Sequence, residues 1–256
     1  MFGAIAGDII GSVYEARPIK VVDFPLFQPY STFTDDTVLT AATAYAILEN
    51  VDYAKVYKLF GRKYPHAGYG ASFYQWMFSP SGEPYYSRGN GSAMRVSPVG
   101  FAFDAIDDVL EEAAKSAAVT HNHPEGIKGA QATALAIYFA RKGEKKEYIK
   151  RELSDRFAYN LDRSLDEIRP KYHFDVSCQG SVPESIIAFL ESKDFEDAVR
   201  KAVSLGGDSD TMACIAGGIA HAYYKDIGND IIAGVKERLP GEFLSIIDKF
   251  NKRYGL

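Results

Sequence analysis

The sequence predicts an all-α protein, folded as a compact single-domain helical bundle over residues 1–256. Three observations carry this expectation. Apolar residues recur at three- and four-residue spacing along most of the chain, the mark of helices with one buried face. Segments able to form strands are nearly absent. Small residues line several helical segments, at Ala41, Ala42 and Ala44, at Ala130, Ala132 and Ala134, and at Ala213, Ala216, Gly217 and Gly218, which lets helices approach closely around a shared centre. With 256 residues, 46% of them hydrophobic, the chain can bury a substantial core. No low-complexity linker or internal repeat divides it.

The elements follow in order. GAIAGDIIGSVYEA (3–16) places Asp8 and Glu15 seven residues apart, two turns along the same face of a helix. This segment is apolar but lacks a basic leader region and carries two acids, so it reads poorly as a signal peptide. Residues 37–49 continue as a helix after an acidic start, and 104–118 form an amphipathic one with an acidic first turn. Residues 126–141 are alanine-rich and close on Arg141, Lys142 and Gly143, which suit a helix C-terminus. Residues 183–190, 194–205, 211–224, 230–238 and 240–252 repeat the pattern, with Pro183 and Pro240 expected in first turns, where a missing N–H is harmless. Residues 19–27 (IKVVDFPLF) are the best strand candidate, but Pro25 interrupts the run and makes an edge strand or loop the expectation. Residues 17–34, 80–89 and 159–182 read as loops, long enough to suggest function.

Charge narrows the partners. A net charge of -5 and a pI near 5.6 argue against a general nucleic-acid or anionic-membrane binder, which needs a basic face. Cys178 and Cys214 are the only cysteines, too few for a disulfide framework, and a reducing cytoplasm is the expected setting. No apolar run is long enough to span a membrane.

Two clusters rich in oxygen stand at helix starts. FTDDT places Thr34, Asp35 and Asp36 before one alanine-rich helix, and GGDSDT places Asp208, Asp210 and Thr211 before another. One reading is helix capping, in which these oxygens satisfy free N–H groups and complement the dipole. The other is a cation site, because carboxylates this close repel unless a cation neutralises them. Oxygen donors without His or Cys select hard cations such as Mg²⁺, Mn²⁺ or Ca²⁺ over zinc. If the two starts face each other, six oxygens converge on space for two ions.

The remaining motifs are less specific alone. In SRGNGSAMR, Gly89 and Gly91 flank Asn90, an arrangement that can expose backbone N–H groups to an anion beside Arg88 or Arg95, or simply make a turn. His121 and His123 lack a third metal ligand nearby; a hydrogen-bonding role and an ordinary loop both fit. Asp8 and Glu15 are general acid/base candidates if they face an apolar pocket; alternatively Asp8 is satisfied in the core and Glu15 is a solvated helix end. Cys178 has no partner acid that would make it a nucleophile.

Together, GAIAGDIIGSVYEA, FTDDT, GNGSAMR, THNHPEGIKGA and GGDSDTMACIAGGIA occur in the order found in the ADP-ribosylglycohydrolase family, which the chain resembles from Gly3 to about Tyr224. The resemblance implies an all-α bundle of the ADP-ribosylglycohydrolase type with a central dinuclear site for Mg²⁺ or Mn²⁺. It implies metal ligation by Thr34, Asp35, Asp36, Asp208, Asp210 and Thr211, with Asp210 as bridge. Glu15 matches a glutamate over the metals, a gate or acid/base; Asp35 and Asp36 are the other candidates for moving the proton. Gly89, Asn90, Gly91, Ser92 and Met94 match a segment that wraps the diphosphate and ribose, and His121 a histidine on the phosphate side.

The implied reaction is hydrolysis at C1 of the distal ribose, on an ADP-ribosylated protein or small molecule, releasing ADP-ribose. Residues 17–34 and 80–88, over the leaving group, match no pattern, so the linkage stays open among arginine, serine, a nucleic-acid base and others. A non-catalytic crystallin-like relative and a metal-dependent phosphohydrolase acting on a nucleotide are the alternatives.

Overall fold

A computed structural model describes all 256 residues as fifteen helices without a β-strand. α1 (Phe2–Glu15) leads through a helix-free segment to α2 (Asp35–Glu49), α3 (Tyr53–Lys63) and α4 (Ala71–Phe78). A second irregular segment leads to α5 (Gly91–Met94), α6 (Ser97–Ala102), α7 (Ile106–Ala118), α8 (Pro124–Arg141), α9 (Lys146–Phe157) and the one-turn α10 (Leu165–Ile168). The chain closes with α11 (Cys178–Leu190), α12 (Phe195–Val203), α13 (Ser209–Tyr224), α14 (Asn229–Lys236) and α15 (Gly241–Tyr254).

The bundle is organised around α1 and α13, which run antiparallel and nearly in backbone contact. Glycines at four-residue spacing on α1 make this approach possible. A Cβ at Gly7 would stand 2.0 Å from the Ala213 carbonyl oxygen, one at Gly11 2.5 Å from that of Ser209, and one at Gly3 2.4 Å from His221 Cβ. From the other side, a Cβ at Gly217 would meet the Gly3 carbonyl oxygen at 2.4 Å. Helices α8, α11 and α12 pack around α13, and α2 packs on α1, α3, α6 and α15. Every residue of α13 from Ser209 to Ala220 is buried. One continuous apolar core joins these helices, and a smaller cluster around Val96, Val99 and Val109 lies between α6, α7 and α8.

Several helices were not expected, the short α6 among them. α3 buries Tyr53, Val56, Tyr57 and Phe60 and is capped by Asp52, whose side chain accepts from Lys55 N. α4 is short, and α9 exposes so much charge that its buried stripe reduces to Ile149, Leu153 and Phe157. α10 lies inside the expected 159–182 loop, held by a capping box between Ser164 and Glu167. α11 also starts within that loop, because Ser177 caps it by accepting from Gly180 N; Pro183 therefore sits inside the helix and not in its first turn. Pro240 is one residue short of its expected place, directly before α15, whereas Pro124 occupies the first turn of α8. Residues 19–27 form loop, as Pro25 suggested, and the Pro25 carbonyl accepts from Tyr14 Oη at 2.8 Å.

A methyl group at Gly7 would strike backbone and cannot be accommodated by a rotamer change. Gly7→Ala is expected to destabilise the fold by about 2 kcal/mol or more, despite the ~1 kcal/mol that alanine gains in helix propensity. Gly82→Ala, where a Cβ meets nothing within 4 Å, is the neutral control. Urea denaturation of both variants checks this; an unchanged midpoint for Gly7→Ala would contradict the packing.

Candidate active site

Antiparallel packing delivers the C-terminal end of α1 to the N-terminal end of α13, so Glu15 comes to stand near Asp208 and Asp210. The start of α2 is tied to the same place by Asp8, buried on α1. Asp8 Oδ2 accepts from the backbone N–H groups of Thr34 and Thr37, each at 3.0 Å, and from Thr37 Oγ1. Its Oδ1 accepts from Thr34 Oγ1 at 2.7 Å. A carboxylate from one helix thus caps the start of another, satisfying N–H groups that have no partner within α2. Thr34 adds its own cap, with Oγ1 accepting from Asp36 N at 3.3 Å. The two acidic helix starts meet directly: Thr211 Oγ1 donates to Asp36 Oδ2 at 3.2 Å.

These groups open into a cavity of about 390 Å³. Its lining includes Glu15, Thr34, Asp35, Asp36, Asp208, Asp210 and Thr211, together with Gly89, Asn90, Gly91, Met94 and His121. Of the site residues the family resemblance implies, Ser92 is the one that does not reach the cavity. It is fully buried below the loop, and its Oγ donates to the Gly126 carbonyl at 2.7 Å. The loop also differs from the expected array of free N–H groups. Gly89 N donates to Ser87 Oγ at 3.0 Å, and Asn90 N to the Val176 carbonyl at 2.8 Å. Asn90 instead spends its side chain on the acidic cluster, donating Nδ2 to Asp208 Oδ2 at 2.7 Å and to Ser181 Oγ at 3.1 Å.

Sequence reasoning missed other parts of the wall: Tyr85 and Ser87, Val176, and Gly68 and Gly70 before α4 with Ala71, Ser72 and Phe73 in its first turn. Only the length of residues 80–89 and 159–182 hinted at the first three. The histidine pair separates. His121 lines the cavity, whereas His123 Nδ1 caps α8 by accepting from Glu125 N at 3.0 Å. Cys178 is buried beneath the loop, where Sγ donates to the Gly89 carbonyl at 3.0 Å and burial pushes its thiol up to about 12.

Electrostatically the site is an uncompensated concentration of negative charge. Oxygens of Asp8, Asp36 and Asp210 lie within 4.8 Å of one another, as do those of Glu15, Asp208 and Asp210, so Asp210 belongs to both groups. None of these acids, nor Asp35, is among the fourteen ion pairs the fold forms. Asp36 Oδ1 is buried without a hydrogen-bond partner. Burial raises Asp8 from 3.8 to about 6, against the pull of its four threonine hydrogen bonds. Burial and the neighbouring carboxylates push Asp35, Asp36 and Asp210 well above the usual carboxylate range. Glu15, exposed at the cavity mouth, is raised by desolvation and by Asp208 and Asp8. An orphaned buried carboxylate oxygen, an all-oxygen donor set and the lack of a counter-cation fit a hard divalent cation. The oxygens of Asp8 are already engaged by Thr34 and Thr37, so Asp8 orients the cluster.

The chain belongs to the ADP-ribosylglycohydrolase family, whose model matches residues 1–255. It is 26% identical to ADP-ribosylhydrolase ARH3 of Xenopus tropicalis, over 88% of this chain and 85% of that protein. Human ADP-ribosylhydrolase ARH3 is 27% identical, over 87% and 83% of the two chains. ADP-ribosylarginine hydrolase Tri1 of Pseudomonas putida (strain GB-1) is 25% identical, over 88% and 69%. In fold, the chain superposes on a solved structure titled ADP-ribosylglycohydrolase-related protein complex with a TM-score of 0.76 and 22% identity, covering 98% of this chain and 95% of that one. The all-α expectation is met, and the family's activity is that of a hydrolase acting at ADP-ribose. No helix is long and apolar enough to cross a membrane.

The raised acids set a pH dependence. Each binds its proton more tightly folded than unfolded, so the fold loses stability as pH rises between the two pKa values. For Asp8 that window runs from 3.8 to about 6, and Asp35, Asp36 and Asp210 extend it upward. Chelator-treated protein is therefore expected to lose melting temperature as pH rises from about 4 through about 6 and beyond, and Asp36→Asn to flatten that loss. Thermal melts across this range check it; equal slopes for the two proteins would contradict the assignment.

Proposed function

We propose that this chain removes ADP-ribose from a modified substrate by hydrolysing the glycosidic bond at C1 of the distal ribose, with the help of divalent cations. One observation carries the reading: two oxygen-rich helix starts and the glycine-flanked Asn90 loop converge on one cavity, with no counter-cation among the acids. Thr34, Asp35 and Asp36 on one side, and Asp208, Asp210 and Thr211 on the other, would hold two ions, Mg²⁺ or Mn²⁺, with Asp210 shared. Such ions supply Lewis-acid polarisation and a template for ribose hydroxyls when bound.

The protein's own groups divide the remaining work. Glu15, at the mouth of the cavity and with its carboxyl raised by burial and by Asp208 and Asp8, would hold or take the proton of the reaction. Thr34 Oγ1 donates to Asp8 and accepts from Asp36 N, which fixes the hydroxyl at the edge of the cavity. Asn90 joins the acidic cluster to the loop, so a ligand seated against Gly89 and Gly91 is held in register with Asp208. A Cβ at Gly91 would crowd the imidazole, lying 3.0 Å from His121 Nε2. Binding energy from a diphosphate seated there would orient the distal ribose, which is how remote contacts accelerate a reaction. The proposed substrate is an ADP-ribosylated protein or small molecule of the cytoplasm. ARH3-like and arginine-hydrolase-like relatives both support the common product, ADP-ribose, without deciding the linkage.

Incubation with ADP-ribosyl-arginine, O-ADP-ribosyl-serine and ADP-ribose, with Mg²⁺ or Mn²⁺ added, tests the reading. Release of ADP-ribose from one of the conjugates is expected. AMP would point to a nucleotide phosphohydrolase, and no product to a non-catalytic relative. Asp210→Asn, or chelation, is expected to lower turnover at least about 10³-fold, the scale of losing ~4 kcal/mol of transition-state stabilisation, while the circular-dichroism spectrum stays helical. Full activity in chelated Asp210→Asn protein would sink the mechanism.

A further inference from the structure

His121 is the cavity residue whose hydrogen-bonding state is decided from behind. It is 5% exposed, and its Nδ1 lies 2.8 Å from Thr120 Oγ1. Thr120 Oγ1 is in turn 2.8 Å from Nη2 of Arg95, a fully buried guanidinium. Arg95 reaches this place from the end of α5. Its Nη2 also donates to the Ser116 carbonyl at 2.9 Å, and its guanidinium lies 4.2 Å from the centre of the Tyr57 ring. No carboxylate pairs with it, and its Nε and Nη1 have no partner.

Donor counting fixes the direction of this chain. An arginine can only donate, so Thr120 Oγ1 accepts from Arg95 and is left with one hydrogen to give. Of the two side chains within hydrogen-bond distance of Thr120 Oγ1, His121 Nδ1 is the one able to take it. A proton on Nδ1 would face the hydroxyl oxygen with two donors and strand the threonine hydrogen in a buried place. On the cavity side, Nε2 has no protein partner and faces the loop: Cβ atoms built on Gly91 and Gly89 would lie 3.0 and 3.5 Å from it. The Tyr85 ring packs edge-on against the imidazole at 5.9 Å. Burial and the nearby Arg95 charge both keep the ring neutral.

We infer that Arg95 and Thr120 are positioning residues that lock His121 as the Nε2–H tautomer, making it a neutral donor aimed at a ligand oxygen lying against Gly89 and Gly91. The relay has a purpose at this spot, because Gly89 N and Asn90 N are already engaged inside the protein. The imidazole adds a donor where those two backbone groups offer none. An anionic oxygen is the matching acceptor, and assigning it to ADP-ribose rests on the function proposed above.

Side-chain ¹⁵N–¹H correlation spectra of the intact protein, without ligand, read the tautomer directly. Wild-type His121 is expected to show a protonated Nε2 and an unprotonated Nδ1. Thr120→Ser should keep that pattern, and Thr120→Val, which has no hydroxyl, should lose it to a mixture. Titration with ADP-ribose is then expected to show binding about tenfold weaker for Thr120→Val and close to wild type for Thr120→Ser. Protonation on Nδ1 or on both nitrogens in the wild type, or an unchanged pattern in Thr120→Val, overturns the relay. If Thr120→Val does not fold, the wild-type and Thr120→Ser spectra decide it alone. A locked Nε2–H in a protein that binds no ADP-ribose would uphold the relay and reject the functional reading instead.

Discussion

The antiparallel contact of α1 with α13 is the constraint on which the rest of the structure depends. Its closeness comes from what Gly3, Gly7, Gly11 and Gly217 lack, since each would drive a Cβ into the opposing helix. Because the two helices run in opposite directions, the contact fixes the end of one against the start of the other. The cavity forms at that junction. Asp8 then converts a pairwise contact into a three-helix arrangement, by using its whole carboxylate to hold the start of α2. Rigid backbone and one fully engaged acid thus set the positions of the acids that remain free.

Such a cluster opposes folding on its own. Carboxylates crowded without a counter-cation raise one another's pKa values and cost stability at neutral pH. Proteins accept this cost where a bound cation or the chemistry itself offsets it, and perturbed acids lining a cleft mark candidate functional sites for that reason. The surrounding structure is built to tolerate it. α13 is buried from Ser209 to Ala220, and the core around it is continuous.

Much of the fold was legible from periodicity and small residues, because helices with wide apolar faces advertise themselves. What escaped notice were elements with narrow signals. α9 buries one residue per turn amid charge, and α10 rests on a capping box of two side chains. Pro183 misled because Ser177 starts α11 five residues before the first helical residue expected from sequence. At the site, the acids and threonines were legible as surplus oxygens at two helix starts. That they face each other was not, since only the folded chain shows Thr211 meeting Asp36. Tyr85, Ser87 and Val176 come from irregular segments whose path no local rule fixes. Asp8 was visible as an acid in an apolar helix, yet its role as a cap for a different helix is a long-range property. Ser92 shows the opposite failure, a motif residue that faces away from the cavity.

The central claim is that helix geometry prepares one cavity for divalent cations between the starts of α2 and α13. Crystals grown or soaked with Mn²⁺ and measured at the manganese absorption edge test it most directly. The account predicts two anomalous peaks within bonding distance of oxygens from Thr34, Asp35, Asp36, Asp208, Asp210 and Thr211, with Asp210 touching both. A cavity without an anomalous peak at saturating Mn²⁺, or ions bound only elsewhere on the chain, would contradict it.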